Sequence, residues 1–265
     1  MTNFRTTHPY EHDVITVKKL GKNHLKITKQ KTVRKKGWEQ EAKPKRKRGT
    51  ASDSKNPANV KRACATVEDL GMNNEWIWFC TFTIDASKMD RYDLPNYLSK
   101  FKAFLKYENT KCNKGTRIKY VYVQGPHKLD RAWHIHGLFC NIPKKELFVK
   151  QKGVYGWESY EEKFGFSRLE KVSDIVGIRW CIVYMKKHII RTAEVIRGLN
   201  MRLVHPSKNL KRGETILKFS DDSEDNRKWD YENEHCKGKV IDLQEESLEE
   251  FLFADWEENH SDDIS

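Results

Sequence analysis

The segment from Tyr120 to Cys140, YVYVQGPHKLDRAWHIHGLFC, contains the pattern that decides the fold. β-Branched and aromatic residues stand on both sides of a polar stretch, which is typical of two strands joined by a turn. We therefore predict a hairpin, with strands over 117–124 and 132–141 and a turn over 125–131.

Within the second strand, the triplet His134-Ile135-His136 is the first candidate for a functional site. Successive side chains of a strand point to opposite faces, so both histidines project on one face while Ile135 enters the core. Two neighbouring imidazoles can supply two nitrogens to one divalent metal. The alternative is a pair of half-exposed strand histidines without a ligand.

Downstream, residues 174–191 (DIVGIRWCIVYMKKHIIR) have apolar positions at spacings of four, three and four, which predicts an amphipathic helix. A second, mostly polar stripe contains Tyr184, Lys187, His188 and Arg191. A tyrosine three residues before a lysine places a phenol and an ammonium on one helix surface. Beside a metal-binding histidine pair, this arrangement suits cleavage of a phosphodiester by a tyrosine. An ordinary tyrosine of an amphipathic helix is the alternative.

The chain resembles the HUH-type rolling-circle replication initiators of bacterial plasmids and phages. His134-Ile135-His136 matches the His-hydrophobic-His motif of that family, and Tyr184-Met-Lys-Lys187 matches its Tyr-x-x-Lys motif. Relaxases of the same superfamily place the tyrosine before the histidine pair, whereas here it follows. Three further blocks resemble family segments in the same order: residues 79–85, 157–169 and 202–210.

This resemblance implies a ferredoxin-like α+β domain with an antiparallel sheet, the histidine pair on a central strand and the catalytic tyrosine on a helix. It also implies a divalent metal, Mn²⁺ or Mg²⁺, held by His134, His136 and a third ligand from the preceding strand. That place reads Gln124 where an acidic residue is usual, so we predict Gln124 as the third ligand, with His127 as an alternative. Nitrogen ligands and a neutral amide favour Mn²⁺ over Mg²⁺.

The resemblance further implies that Tyr184 is the nucleophile and that Lys187 stabilises the negative charge of the reaction. The product is a 5′-phosphotyrosine and a free 3′-OH. Because His188 stands where some relatives carry a second tyrosine, the chain resembles the single-tyrosine type. We predict that DNA is contacted by Thr81, Thr83, Arg191 and Lys208.

The charge of the chain is unevenly distributed. The net charge of +12 divides into +10 over residues 1–75, +15 over 76–220 and −13 over 221–265. We predict a basic flexible arm over 1–58, an HUH endonuclease domain over 59–220, and an acidic C-terminal tail over the remainder. The arm either contacts phosphates or is a solvated tail. The acidic tail is a partner-binding helix, an internal mimic of DNA, or a disordered solubilising segment.

Three further patterns bear on the domain. Apolar spacing predicts helices over 59–70 and 94–107, and an unbroken β-rich run predicts a buried strand over 76–84. The aromatic residues between 153 and 167 either stack the bases of a single strand or form a satellite core. Residues 197–210 are strand-like and basic.

The leading interpretation is an initiator that nicks and rejoins one DNA strand at an origin. An HUH transposase and a non-catalytic module that binds single-stranded DNA are the alternatives. No Walker-type nucleotide-binding motif occurs, so a host helicase and polymerase are expected partners, and a dimer is possible. No apolar run of membrane-spanning length occurs, and six scattered cysteines favour reduced thiols in a bacterial cytoplasm.

Overall fold

The computed structural model of the protein describes residues 9–35, 56–112, 114–127, 130–172, 174–196, 201–222, 227–248 and 251. The chain divides into two compact units. The larger unit consists of residues 46–212, and the smaller unit combines residues 1–45 with residues 213–265. The predicted α+β class with antiparallel sheets is confirmed, and it is compatible with a ferredoxin-like fold.

Four α-helices of the described residues belong to the larger unit: α1 (Asn56–Met72), α2 (Leu94–Thr110), α3 (Glu158–Lys163) and α4 (Ile175–Val195). Helices α1, α2 and α4 confirm the three predicted helices and extend each of them by a few residues. Measured by length and apolar content, none of the described helices could span a membrane.

The strands form two antiparallel sheets. The smaller unit contains β1 (Tyr10–Leu20), β2 (His24–Arg34), β10 (Thr215–Ser220), β11 (Tyr231–Glu232) and β12 (Cys236–Asp242). The larger unit contains β3 (Trp78–Thr83), β4 (Lys119–Pro126), β5 (Trp133–Cys140), β6 (Leu147–Gln151), β7 (Val154–Trp157), β8 (Ser167–Lys171) and β9 (His205–Pro206). The order in the larger sheet is β6-β7-β8-β3-β5-β4-β9. The predicted hairpin is therefore β4–β5, with β3 on its other side.

One face of the larger sheet carries the main apolar core. Helix α2 begins after Asp93, whose side chain accepts a hydrogen bond from the Asn96 backbone N–H at 3.1 Å. Its apolar residues pack with Phe82 of β3 and Ile135 of β5, as the strand alternation predicts. Most of the aromatic residues from 153 to 167 join this core, since Tyr155 packs against it and Trp157, Tyr160 and Phe164 are buried in it. The satellite-core interpretation therefore holds for these four.

The opposite face of the sheet is covered in part by α4. This helix begins at a cap where Asp174 accepts a hydrogen bond from the Gly177 backbone N–H at 2.7 Å. Its apolar stripe is buried against β4, β5 and α1, and the Thr192 hydroxyl donates to the Gln124 carbonyl at 2.8 Å. Helix α4 therefore lies over the histidine face of the predicted hairpin.

The N-terminal region corrects the prediction of a flexible arm over residues 1–58. Residues 10–34 form the long hairpin β1–β2, at the centre of a five-stranded sheet in the order β10-β1-β2-β12-β11. Ile15, Val17 and Ile27 are fully buried in its core. Lysines at the intervening positions give this segment the composition of a linker, although its apolar residues alternate as in a strand. Residues 36–55 lie outside the described part of the chain.

The predicted acidic tail over 221–265 is also corrected, because β12 pairs with β2 and is part of the same sheet. Leu248 and Phe251 pack on the core of the smaller unit. The compact unit around the histidine pair spans 46–212, so the predicted boundaries of 59 and 220 are both displaced. Residues 252–265 lie outside the described residues. Of the strand-like segment 197–210, only β9 is a strand, and residues 197–200 are not described.

A buried pair of phenols ties α2 to α3 in the core of the larger unit. The Tyr97 and Tyr160 hydroxyls lie 2.8 Å apart, and Tyr160 donates to the Thr83 carbonyl at 3.0 Å. Burial raises the pKa of both phenols, so both remain protonated donors at neutral pH.

We expect Tyr160→Phe to lower the free energy of unfolding by about 1–3 kcal/mol, because it leaves the Thr83 carbonyl and the Tyr97 hydroxyl without this partner. Tyr97→Phe should cost less, since Tyr160 keeps its bond to Thr83. Urea unfolding of both variants measures the two changes. Equal losses would show that the bond to Thr83 contributes nothing.

Candidate functional site

The register of three strands places the two strand histidines. Strand β5 lies between β3 and β4, so His134 is opposite Thr83 on one side and Gly125 on the other. His136 is opposite Thr81 of β3. Directly opposed residues of antiparallel strands share a face, so both histidines lie on the face that α4 covers.

A third histidine reaches this pair from α4. The ring of His188 lies 5.3 Å from that of His134 and 4.4 Å from that of His136, measured between centroids. One nitrogen from each of the three rings lies within 4.8 Å of the other two. Side chains from a central strand and a covering helix thus form a three-imidazole cluster.

The cluster contains buried nitrogens that no described residue satisfies. His134 Nδ1, His136 Nε2 and His188 Nδ1 have no hydrogen-bond partner among the described residues. The other nitrogen of His136, Nδ1, lies 3.0 Å from the Thr81 hydroxyl. This bond favours the tautomer that leaves Nε2 with a free lone pair, which is the form that binds a metal. Three unpartnered imidazole nitrogens at this separation fit a divalent transition metal.

The electrostatics of the cluster also suit a metal ligand set. Burial lowers the pKa of His134 to about 4 and that of His188 to about 4. Burial, followed by the two neighbouring imidazoles, lowers the pKa of His136 well below its usual value. All three rings are therefore neutral at pH 7, so a metal has no bound proton to displace.

Gly125 makes the space for the third histidine. A Cβ atom at this position would lie 2.2 Å from His188 Nδ1, which is far inside van der Waals contact. Any side chain on this residue of β4 would displace the His188 ring. The glycine next to Gln124, which has no side chain to offer as a ligand, therefore decides whether α4 can complete the cluster.

Tyr184 stands one turn before His188 on α4, at the rim of the cluster. Its ring centroid is 4.8 Å from that of His136 and 4.8 Å from that of His188. The side chain is 41% exposed, so a ligand in solvent can reach the phenol. Lys187 and Arg191 are exposed on the same helix, and the charge of Arg191 contributes to the lowered pKa of His188.

The structure does not bring Gln124 into the cluster. Gln124 is opposite Ile135, so it points to the other face of the sheet. Its amide nitrogen donates to the Arg202 carbonyl at 2.7 Å, and its oxygen lies 3.0 Å from His205 Nε2. The alternative candidate, His127, is paired with Asp130 at 3.2 Å, and its ring lies 6.0 Å from that of His134.

The four residues predicted to contact DNA are placed differently from one another. Thr81 supports His136, and the Thr83 hydroxyl donates to the Phe166 carbonyl at 3.2 Å beside it. Arg191 lies near the cluster. Lys208 follows β9, which pairs with the start of β4, at the opposite end of that strand from Gly125. Lys208 is therefore not brought to the site.

Residues 77–189 match a family model of replication-associated proteins, those of the ORF2 type. The match supports a family of replication initiators. It extends from the residue before β3 to the residue after His188, so it contains all three histidines and Tyr184. No curated protein and no solved structure matched the chain.

We expect Gly125→Ala to weaken binding of Mn²⁺ or Co²⁺ by at least about tenfold, because the added methyl group displaces His188 and leaves two ligands. Isothermal titration with each ion measures the change. Gly115→Ala is the matched control, since a Cβ there meets no described atom within 4 Å. Unchanged affinity in Gly125→Ala would mean that His188 does not take part in binding.

The buried His205 predicts a pH dependence of stability. Burial, together with the charges of Lys102 and Arg202, lowers its pKa to about 3, so the folded protein does not protonate it under mildly acidic conditions. The unfolded chain does so below about pH 6.5, and stability is then lost by up to about 1.4 kcal/mol per pH unit.

His205→Phe should keep the stacking on Tyr122 and be less stable than the parent at pH 7, because the Gln124 oxygen loses its donor. Since the variant has no proton to bind at this position, the stability difference should shrink by roughly 2 kcal/mol between about pH 6.5 and 4.5. Urea unfolding at several pH values measures this difference. A difference that stays constant would contradict the neutral state of His205.

Proposed function

We propose that this protein is a rolling-circle replication initiator that nicks and rejoins single-stranded DNA at an origin through a 5′-phosphotyrosine on Tyr184. The observation that carries the proposal is the contact of a solvent-accessible tyrosine ring with two imidazoles of a buried three-histidine cluster. The match to a family of replication-associated proteins supports the same activity.

His134, His136 and His188 would hold a divalent cation through the three nitrogens that lack a partner among the described residues. Three neutral imidazoles favour Mn²⁺ over Mg²⁺, because Mg²⁺ prefers oxygen ligands. Three protein ligands leave coordination positions open to a substrate. A cation bound there supplies a Lewis acid that polarises the scissile phosphate.

Tyr184 supplies the nucleophile. Its phenol oxygen forms a bond to the scissile phosphorus while the bond from phosphorus to the 3′ oxygen breaks. The phenol proton leaves to water, and the departing 3′ oxygen takes a proton to become the 3′-OH. The protein then carries the 5′ end of the strand as a phosphodiester of Tyr184, and the reverse reaction with a 3′-OH rejoins the strand without an external energy source.

Lys187 and Arg191 have supporting roles on the same face of α4. Lys187, one turn after Tyr184, would stabilise the negative charge that develops on phosphorus and on the phenolate. Arg191, one turn after His188, would contact a neighbouring phosphate of the strand. Thr81 positions His136 through the hydrogen bond to its Nδ1.

Termination distinguishes this chain from initiators with two tyrosines. His188 stands one helical turn after Tyr184, and we assign it to the metal rather than to a second transfer of the strand. Closing a circle would then use Tyr184 of a second protomer or a water molecule. A host helicase and polymerase would act on the displaced strand and on the free 3′-OH.

A covalent-adduct assay tests the proposal. The full chain is incubated with a pool of single-stranded oligonucleotides and Mn²⁺ and denatured, and the DNA that remains on the protein is measured. We expect an adduct that Tyr184→Phe, His188→Ala and EDTA each abolish. Lys187→Ala should form it about 100-fold more slowly, which is typical for the loss of one charge-stabilising donor.

Tyr107→Phe is the matched control, because Tyr107 is another exposed tyrosine on a helix, α2, of the opposite face. This variant should form the adduct as the parent does. An adduct that survives in Tyr184→Phe would assign the nucleophile to another residue. Neither an adduct nor Mn²⁺ binding, despite DNA binding, would leave the non-catalytic binding module as the function.

A further inference from the structure

Helix α4 covers only part of the histidine face of the larger sheet. It packs on β4 and β5, whereas the half of the sheet formed by β6, β7 and β8 lies beyond β3. Thr81 of β3 is opposite both His136 and Arg168, so Arg168 of β8 points to the same face as the histidine cluster. Phe166, two residues before it, also points to this face.

Phe166 is the one residue of the aromatic segment 153–167 that does not join the core. Its ring is 50% exposed, whereas Trp157, Tyr160 and Phe164 are fully buried. Its carbonyl accepts hydrogen bonds from both the backbone N–H and the hydroxyl of Thr83, at 2.9 and 3.2 Å. The residue is therefore fixed to the strand β3, next to the position that faces His134.

A second exposed ring lies on the neighbouring strands. Phe148 of β6 is opposite Gly156 of β7, and a Cβ atom at Gly156 would lie 2.3 Å from the Phe148 ring. The glycine thus lets Phe148 lie against the backbone of the sheet, with 39% of its side chain exposed. An exposed aromatic ring resting on a glycine of a rigid sheet is suited to stacking.

Lys150 lies between the two rings. Its ammonium is 3.5 Å from the centre of the Phe166 ring and 5.6 Å from that of Phe148. It is paired with Glu161 at 2.5 Å, and Arg168 is paired with Glu170 at 2.8 Å. Since both cations have carboxylate partners, attraction of phosphates alone does not explain this surface.

A cleft adjoins this surface on the side of the histidine cluster. It has a volume of about 540 Å³, and its walls include Phe166, Gly165, Thr83 and Asp85. Thr83 is the cross-strand neighbour of His134. A ligand that covers the two phenylalanines can therefore continue over Thr83 towards the cluster.

We propose that Phe148 and Phe166, with Lys150 between them, form a platform that stacks the unpaired bases of the DNA strand leading to Tyr184. The proposal rests on the proposed function for the identity of the strand, and the platform itself requires neither the metal nor the tyrosine. Unpaired bases expose the flat faces that an aromatic ring needs, whereas duplex DNA hides them. Residues 46–212 contain 33 Lys+Arg against 16 Asp+Glu, a surplus that favours a polyanionic ligand over a protein partner.

The platform is tested on the full chain carrying Tyr184→Phe, in EDTA, so that neither cleavage nor metal binding contributes. The probe is a fluorescent oligothymidine of about 12 nucleotides, which is within the site sizes of single-strand binding domains. We expect Phe148→Ala and Phe166→Ala each to weaken binding by about 5- to 150-fold in fluorescence anisotropy. An oligonucleotide of the same length made of abasic sites should bind all variants equally weakly.

Tyr107→Ala is the matched control, because Lys111 lies 4.8 Å from the centre of its exposed ring on the opposite face of the domain. This variant should bind oligothymidine as the parent does. Unchanged binding in the double variant of Phe148 and Phe166 would overturn the proposal, as would an equal loss on the abasic strand. A dimer of the parent that Phe148→Ala dissociates, with no change in DNA affinity, would also overturn it and identify the surface as a protein interface.

The two proposals fail independently. If the covalent-adduct assay is negative and the stacking assay positive, the platform belongs to a non-catalytic binding module and the inference stands. If the adduct forms and neither phenylalanine affects binding, the enzyme stands without the platform.

Discussion

The site depends on three imidazole nitrogens held out of water without a partner among the described residues. Leaving a buried polar atom unsatisfied costs about 1–3 kcal/mol, so a cluster of three is a large local penalty. The apolar stripe of α4, with Ile182, Met185 and Ile189 buried, offsets that penalty by fixing the helix on the sheet. A ligand that accepts three lone pairs would remove the penalty, so a bound cation would stabilise the fold as well as take part in chemistry.

The same helix placement divides the sheet into two functional halves. Strands β4 and β5 lie under α4 and supply the buried cluster, while β6 to β8 present their side chains to solvent on the same face. Tyr184 stands where the covered half meets the open half. Its ring contacts Phe79 of β3 as well as two histidines, so the proposed nucleophile is supported by both the strand and the cluster.

The sequence predicted the parts of this site that depend on local pattern. The alternation around Ile135 and the helical spacing from residue 174 to residue 191 each follow from a few consecutive residues. The third member of the cluster could not be predicted in the same way. Strand parity turns Gln124 to the other face, because a shift of one residue reverses the direction of a side chain. His188 could have been found from its position one turn after Tyr184, but only the missing Cβ of Gly125 gives it room.

The smaller unit is built from both ends of the chain, with β1 and β2 from the first 34 residues and their neighbours β10 and β12 from beyond residue 214. Val14 pairs with Ser220, and Lys26 pairs with Val240. During translation, the first hairpin leaves the ribosome well before the strands that flank it, and an isolated hairpin is only marginally stable in water. Completion of this sheet therefore waits until every residue of the larger unit has been synthesised, so a truncated translation product lacks the smaller unit even when the larger one is whole.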